Sequence, residues 1–123
     1  MAENAAIGPG TYIAHGVYVG PNVFIGRHCI VGRNVLLAHD CVIGDFCNIG
    51  AGAQLSEGAV LDEGVQLGMG AIIAPNRRVG AWSTVMMNSA VVDDVPERVR
   101  CSGVPAVVAS DPLSAPIMVP ELW

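Results

Sequence analysis

From Ile7 to Val91 every sixth residue is a branched aliphatic: Ile7, Ile13, Val19, Ile25, Val31, Leu37, Ile43, Ile49, Leu55, Leu61, Leu67, Ile73, Val79, Val85 and Val91. Neither a helix of period 3.6 nor a strand of period 2 produces this spacing. It fits a short extended segment followed by a corner. The aliphatic at the first place of each unit and the residue at the fifth then point inward, and the sixth, between them, points outward. The fourth place becomes the corner. Its occupants are Gly or Asn at ten of fifteen units, with His28, Asp40 and Asp94 among the rest. These types tolerate positive φ best, so a left-handed backbone is expected at each, Asp94 included. Phe46 and Trp82 are the two departures. The chain reads as a solenoid of stacked parallel strands, about 4.8 Å per coil.

A chain of 123 residues makes one domain. A formal net charge of −5 with six Lys and Arg argues against nucleic-acid binding and against coating an anionic membrane. No basic segment leads into an apolar stretch at the N-terminus, and no apolar run is long enough to span a bilayer, so a soluble cytoplasmic protein is expected. Cys29, Cys41, Cys47 and Cys101 lack CxxC spacing, and the first three occupy the inward fifth place. They read as reduced packing thiols. In the outward sixth place the N-terminal half carries Tyr12, Tyr18, Phe24, Ile30, Leu36 and Val42. An apolar belt of this kind calls for burial, most simply by neighbouring subunits.

The repeat resembles the hexapeptide-repeat acyltransferases. Two stretches extend the likeness: IGRHCIVGRNVLLAHDCVIGDFCNIGAGAQLSEGAVLDEGVQLGMGAIIAP from Ile25 to Pro75, and SAVVDDVPERVRCSGVPA from Ser89 to Ala106. The HDC triplet followed by IGDF is similar to the sialic-acid and amino-sugar acetyltransferase group. The resemblance implies an all-β fold, a left-handed parallel β-helix of about five triangular coils over residues 1–108, followed by an extended C-terminal tail over 109–123. It also implies a homotrimer with acetyl-CoA as co-substrate, bound in the groove between two prisms. Members of the group carry a Rossmann-like domain ahead of the repeat. Here the sequence opens directly on the β-helix, so the acceptor is not carried over.

Acetyl transfer needs a base, a donor for the developing oxyanion and a slot that aligns two substrates. The family assigns the base to the His of HDC, here His39, oriented by Asp40. Without the resemblance, Asp40 is only a common corner residue. Residues eighteen apart stack into columns, which places Glu57 and Pro75 above His39 and makes a second column of Ala51, Met69 and Met87. The methionines suit a pantetheine arm or an inter-subunit contact. Backbone amides near Gly58, Asn76 and Asn88 are expected to bond the pantetheine amides or the oxyanion, since Gly and Asn corners allow close approach, and Asn48 to touch the thioester or the acceptor. Asn48 stands where relatives often have a second His, and Val107 where they often carry Lys or Arg; Arg77, Arg78 and Arg100 are the cations left to meet a coenzyme phosphate. His15 and His28 read as solvated turn residues. No metal site is expected: the three histidines are 13 and 11 residues apart, out of register for the zinc of a γ-class carbonic anhydrase. A non-catalytic binding or structural β-helix is the remaining alternative.

Overall fold

The computed structural model describes residues 4–109. Fifteen two-residue strands run from β1 (Ala6–Ile7) to β15 (Ala90–Val91), one per hexapeptide, with no helix among the described residues. They form three parallel faces. The first contains β1, β4 (Phe24–Ile25), β7 (Val42–Ile43), β10 (Val60–Leu61) and β13 (Arg78–Val79). The second contains β2 (Tyr12–Ile13), β5 (Ile30–Val31), β8 (Asn48–Ile49), β11 (Gln66–Leu67) and β14 (Thr84–Val85). The third contains β3 (Tyr18–Val19), β6 (Leu36–Leu37), β9 (Gln54–Leu55), β12 (Ile72–Ile73) and β15. Partners are in strict eighteen-residue register, as in Leu37 to Leu55 and Leu55 to Ile73. Three edges follow: the first joins the first and second faces, the second joins the second and third, and the third returns to the first.

Alternation along each two-residue strand produces the core. Ile25, Leu37, Ile43, Ile49, Leu55, Leu61, Leu67 and Ile73 are fully buried, and all four cysteines are buried and free. The outward belt is exposed as expected, from Tyr12 at 64% to Leu36 at 40%. Two polar side chains, Ser83 and Ser89, enter the interior near the C-terminal end. There each accepts a backbone N–H, from Val99 and Gly103 respectively.

Positive φ occurs at every expected corner from Gly10 to Asn88, including Phe46 at 62° and Trp82 at 60°. The expectation for Asp94 is wrong. That residue is not left-handed, and Arg98 takes the positive φ of 57° instead. The corner after β15 is shorter than the others. Val79 bridges Val95, and Thr84 pairs with Arg100, each sixteen residues on rather than eighteen. Asp94 caps this shortened turn through its side chain, which accepts the N–H of Arg78 at 2.9 Å. The chain then adds β16 (Arg100–Ser102) to the second face, and β17 (Val107–Val108) folds back antiparallel upon it. The N–H of Ala109 still donates to the Arg100 carbonyl. The tail expected beyond it lies outside the described residues.

Candidate active site

Residues 38–41 form the third edge between β6 and β7. His39 and Asp40 are both exposed there, with Nδ1 of the imidazole 2.8 Å from Oδ2 of the carboxylate. Side chains of adjacent residues in an extended segment point to opposite faces. Here the corner sets Asp40 at φ 65°, which swings its carboxylate back to the preceding imidazole. With Nδ1 protonated and donating to Asp40, Nε2 remains as the basic nitrogen. The backbone of the pair is fixed from both sides. Asp40 N–H donates to the Pro21 carbonyl at 3.0 Å, and Gly58 N–H donates to the His39 carbonyl at 3.1 Å. Gly20 is needed below, because a Cβ on it would stand 2.9 Å from the His39 nitrogen. Gly20 and Pro21 escape a reading that looks for reactive groups; the eighteen-residue offset from Ala38 and His39 is the signal that finds them.

Glu57, Gly58, Pro75 and Asn76 stack above the pair on the same edge, as expected. The corner amides are already engaged. The N–H groups of Gly58, Asn76 and Asn88 donate to the carbonyls of His39, Glu57 and Met69, at 3.1, 3.0 and 2.8 Å, and so belong to the ladder between coils. The fourth place spends its N–H on the coil beneath. Among the described residues the N–H of Glu57, at the third place, has no acceptor.

Met69 and Met87 lie on the second edge, and Asn48 lies on the second face in β8. A single chain therefore does not bring the methionine column and Asn48 together with His39. The third face separates the two edges. His15, His28 and His39 fall on the second, first and third edges respectively. Among the described residues no three His, Cys, Asp or Glu side chains are grouped to hold a metal ion, and no helix is long and apolar enough to cross a membrane.

Two of the C-terminal cations are engaged. Arg78 grips Asp62 through Nε at 3.0 Å and a terminal nitrogen at 2.8 Å, and this carboxylate raises the guanidinium pKa further. Arg77 lies 4.0 Å from Asp94. Inside the prism, burial pushes the Cys41 and Cys101 thiols up to about 11. Cys29 and Cys47 stack in successive coils, and hydrogen bonding between their thiols lowers Cys29 and raises Cys47.

The bacterial transferase hexapeptide family (six repeats) matches residues 1–33 and 22–57. No curated protein matches significantly by sequence. PerB from Caulobacter crescentus, solved in complex with CoA and GDP-perosamine, superposes with a TM-score of 0.85 at 29% identity, over 89% of this chain and 54% of that one. The acetyltransferase domain of PglB from Neisseria gonorrhoeae, solved with acetyl coenzyme A, does so at 0.84 and 26%, over 88% of this chain and 53% of that one. AntD, an N-acyltransferase from Bacillus cereus, shares the fold at 18% identity and a TM-score of 0.79, covering 89% of this chain and 80% of that one. The chain spans about half the length of the first two. Rigid superposition preserves chirality, so agreement over nearly nine-tenths of this chain gives it the hand of these solenoids. Over residues 1–57 the chain is thus similar to the bacterial transferase hexapeptide family, and over nearly nine-tenths of its length it shares the β-helical fold of these acyltransferases.

Proposed function

We propose that this protein is an acetyl-CoA-dependent acetyltransferase acting on an amine or hydroxyl of a small acceptor, a sugar in the first instance, with His39 as general base. The observation that carries the reading is the His39–Asp40 contact of 2.8 Å on an exposed corner. Asp40 holds the imidazole with Nε2 free to take the acceptor's proton as its nitrogen or oxygen attacks the thioester carbonyl. Charge then develops on the carbonyl oxygen. The unused N–H of Glu57, one coil above His39, is the donor positioned to meet it. Collapse of the tetrahedral species expels the coenzyme thiolate, which is protonated from the imidazolium.

The working unit is a homotrimer. His39 on the third edge of one copy faces Asn48 and the Met69–Met87 column on the second face and second edge of the next, and the pantetheine arm lies along the methionines. This arrangement covers much of the apolar belt, whose exposure in one chain is otherwise unfavourable. The relatives solved with CoA, acetyl-CoA and a nucleotide sugar support the reading. Calorimetric titration with acetyl-CoA tests it. Saturable binding and a turnover that collapses in His39→Ala are expected, whereas neither heat nor thermal stabilisation at millimolar coenzyme would favour a non-catalytic β-helix.

A further inference from the structure

Phe46 and Trp82, the two departures from the corner pattern, both stand on the first edge. Read from the C-terminal end, the corner column there is Arg98, Trp82, Gly64, Phe46, His28 and Gly10, every one at positive φ. A left-handed backbone costs a residue with a side chain about 1–2 kcal/mol, and neither ring is sheltered in return. Phe46 is 39% exposed and Trp82 48%. The rings nevertheless form one line. The His28 imidazole stacks on Phe46 with centroids 5.8 Å apart and planes at 7°, the Arg27 guanidinium carbon lies 5.6 Å from the Phe46 centroid, and the Trp82 indole covers Gly64. The acetyltransferase reading engages the second and third edges and asks nothing of this stripe.

The chain itself carries a segment that fits it. Strand β17 runs antiparallel to β16, with Val107 opposite Ser102 and Val108 opposite Cys101, and the Ala109 N–H donates to the Arg100 carbonyl. The chain is thus travelling from the second edge back to the first, and two further residues in that register bring Asp111 level with Arg98, at the head of the column. Arg98 is exposed and has no carboxylate partner among the described residues. Fourteen residues follow Ala109, SDPLSAPIMVPELW, and only Asp111 and Glu121 among them are charged. Pro112, Pro116 and Pro120 favour a polyproline II conformation, which has no internal hydrogen bonds and docks readily on aromatic side chains. The end of the core offers this segment no competing seat, because Val91 and Cys101 are each only 1% exposed.

We propose that the first edge is the docking surface for the chain's own C-terminal segment. Asp111 pairs with Arg98, and Pro112 to Val119 run down the edge over Trp82 and Phe46 as far as His28. The lengths agree. Four coil spacings separate Arg98 from His28, about 19 Å. The eight steps from Asp111 to Val119 cover about 25 Å in polyproline II. The strap ties the shortened last turn to the coils beneath it, and it stands independently of the acetyltransferase reading.

Two measurements on the full chain test the strap. Trp123→Phe leaves Trp82 as the single tryptophan, whose quenching by acrylamide can be compared with that in the same chain ended at Ala109. Truncation is expected to raise the quenching constant at least twofold and to shift the emission to the red. Cleavage within residues 110–123 by proteinase K, followed by mass spectrometry, is expected to run at least tenfold faster in Trp82→Gly/Phe46→Asn than in wild type. Arg98→Asp should also speed it, and adding Asp111→Arg should restore protection. Gly, Asn and Asp all occupy left-handed corners in this fold, so these variants keep the backbone, which thermal melts verify. Trp82 quenched equally with and without the segment, or a tail cut equally fast in the ring variants, overturns the proposal. So does shielding of Trp82 that survives truncation and falls on dilution, which would give the stripe to a second copy of the chain.

Discussion

The imidazole of His39 is held by the residue directly after it: Nδ1 lies 2.8 Å from Oδ2 of Asp40, and the left-handed corner at Asp40 makes that reach possible. Asn occupies four other corners with φ between 57° and 60° in this fold, at Asn22, Asn34, Asn76 and Asn88. Asp40→Asn should therefore fold normally, with stability within about 0.5 kcal/mol of wild type. Its amide lacks the charge that steadies the imidazolium and can donate to Nδ1, which favours the wrong tautomer. The expected result is a fall in kcat of roughly 10²-fold or more with little change in KM for acetyl-CoA, approaching the loss of about 10²–10⁴-fold expected for His39→Ala. Steady-state kinetics beside thermal melts will separate the two effects.

The unused N–H of Glu57 can be deleted without disturbing the repeat. Proline already occupies the third place at Pro9, Pro21 and Pro75, so Glu57→Pro is compatible with the backbone there. Glu57→Gly removes the side chain and keeps the N–H. If this amide stabilises the oxyanion, the proline variant loses about 10²–10³-fold in kcat and the glycine variant keeps most of its activity. Equal losses in both would assign the effect to the carboxylate instead.

How far the sequence carries the structure can be judged from particular positions. The fifteen aliphatic steps and their Gly and Asn corners specify coils, faces and burial, because a six-residue unit leaves each side chain one direction to point. The pairing of His39 with Asp40 is legible only through the resemblance of the HDC triplet, since the repeat by itself makes Asp40 a common corner residue. The shortened corner at Asp94 is not. Asp is a good corner residue, and only the competing sixteen-residue register of Val95 and Arg100 shows that the backbone turns differently there. Nor is the engagement of the Gly58, Asn76 and Asn88 amides, because a permissive corner residue does not reveal whether its N–H is free, and the inter-coil ladder takes all three. The site also divides across two edges, a property of the coil geometry that a list of columns does not display.

Trp82 lies against Gly64 of the preceding coil on the first edge, where a Cβ on Gly64 would run into the indole ring. Gly64 is itself at φ 71°. Gly64→Ala then carries both a left-handed cost of about 1–2 kcal/mol and the displacement of the ring. Trp82→Gly should relieve the second cost alone, so a double-mutant cycle by chemical denaturation is expected to give a positive coupling of about 1 kcal/mol or more. Additive effects would mean that the ring moves aside freely.

All four thiols should be silent in the native protein. Cys41 and Cys101 are buried with pKa values pushed up to about 11, and Cys29, although its thiol is lowered by Cys47, is sealed inside the prism. Titration with a chromogenic disulfide at pH 7 should count no fast-reacting thiol in the native state and four in denaturant. One fast thiol in the native protein would show that the coils breathe.

Because the proposed site takes His39 from one copy and Asn48 from the next, two inactive variants should rescue each other. His39→Ala and Asn48→Ala, unfolded together and refolded as mixed trimers, are expected to regain part of the wild-type activity, since some interfaces then contain both intact residues. Separately refolded controls should stay inactive. Failure of the mixture to recover, with mixed trimers verified by native mass spectrometry, would place the whole site within one chain.

The eighteen-residue register also sets a rule for how such a gene can change length. Adding or removing one hexapeptide N-terminal to Asp94 would advance everything downstream by one face, a rotation of a third of a turn. It would leave the core pattern intact and carry every later edge residue to the wrong side. A chain altered in that way would fold as a solenoid with its groove scrambled. Between His39 and Pro75 only whole coils can be gained or lost while His39, Glu57 and Pro75 stay in line, so the spacing of this protein acts as a reading frame for its function.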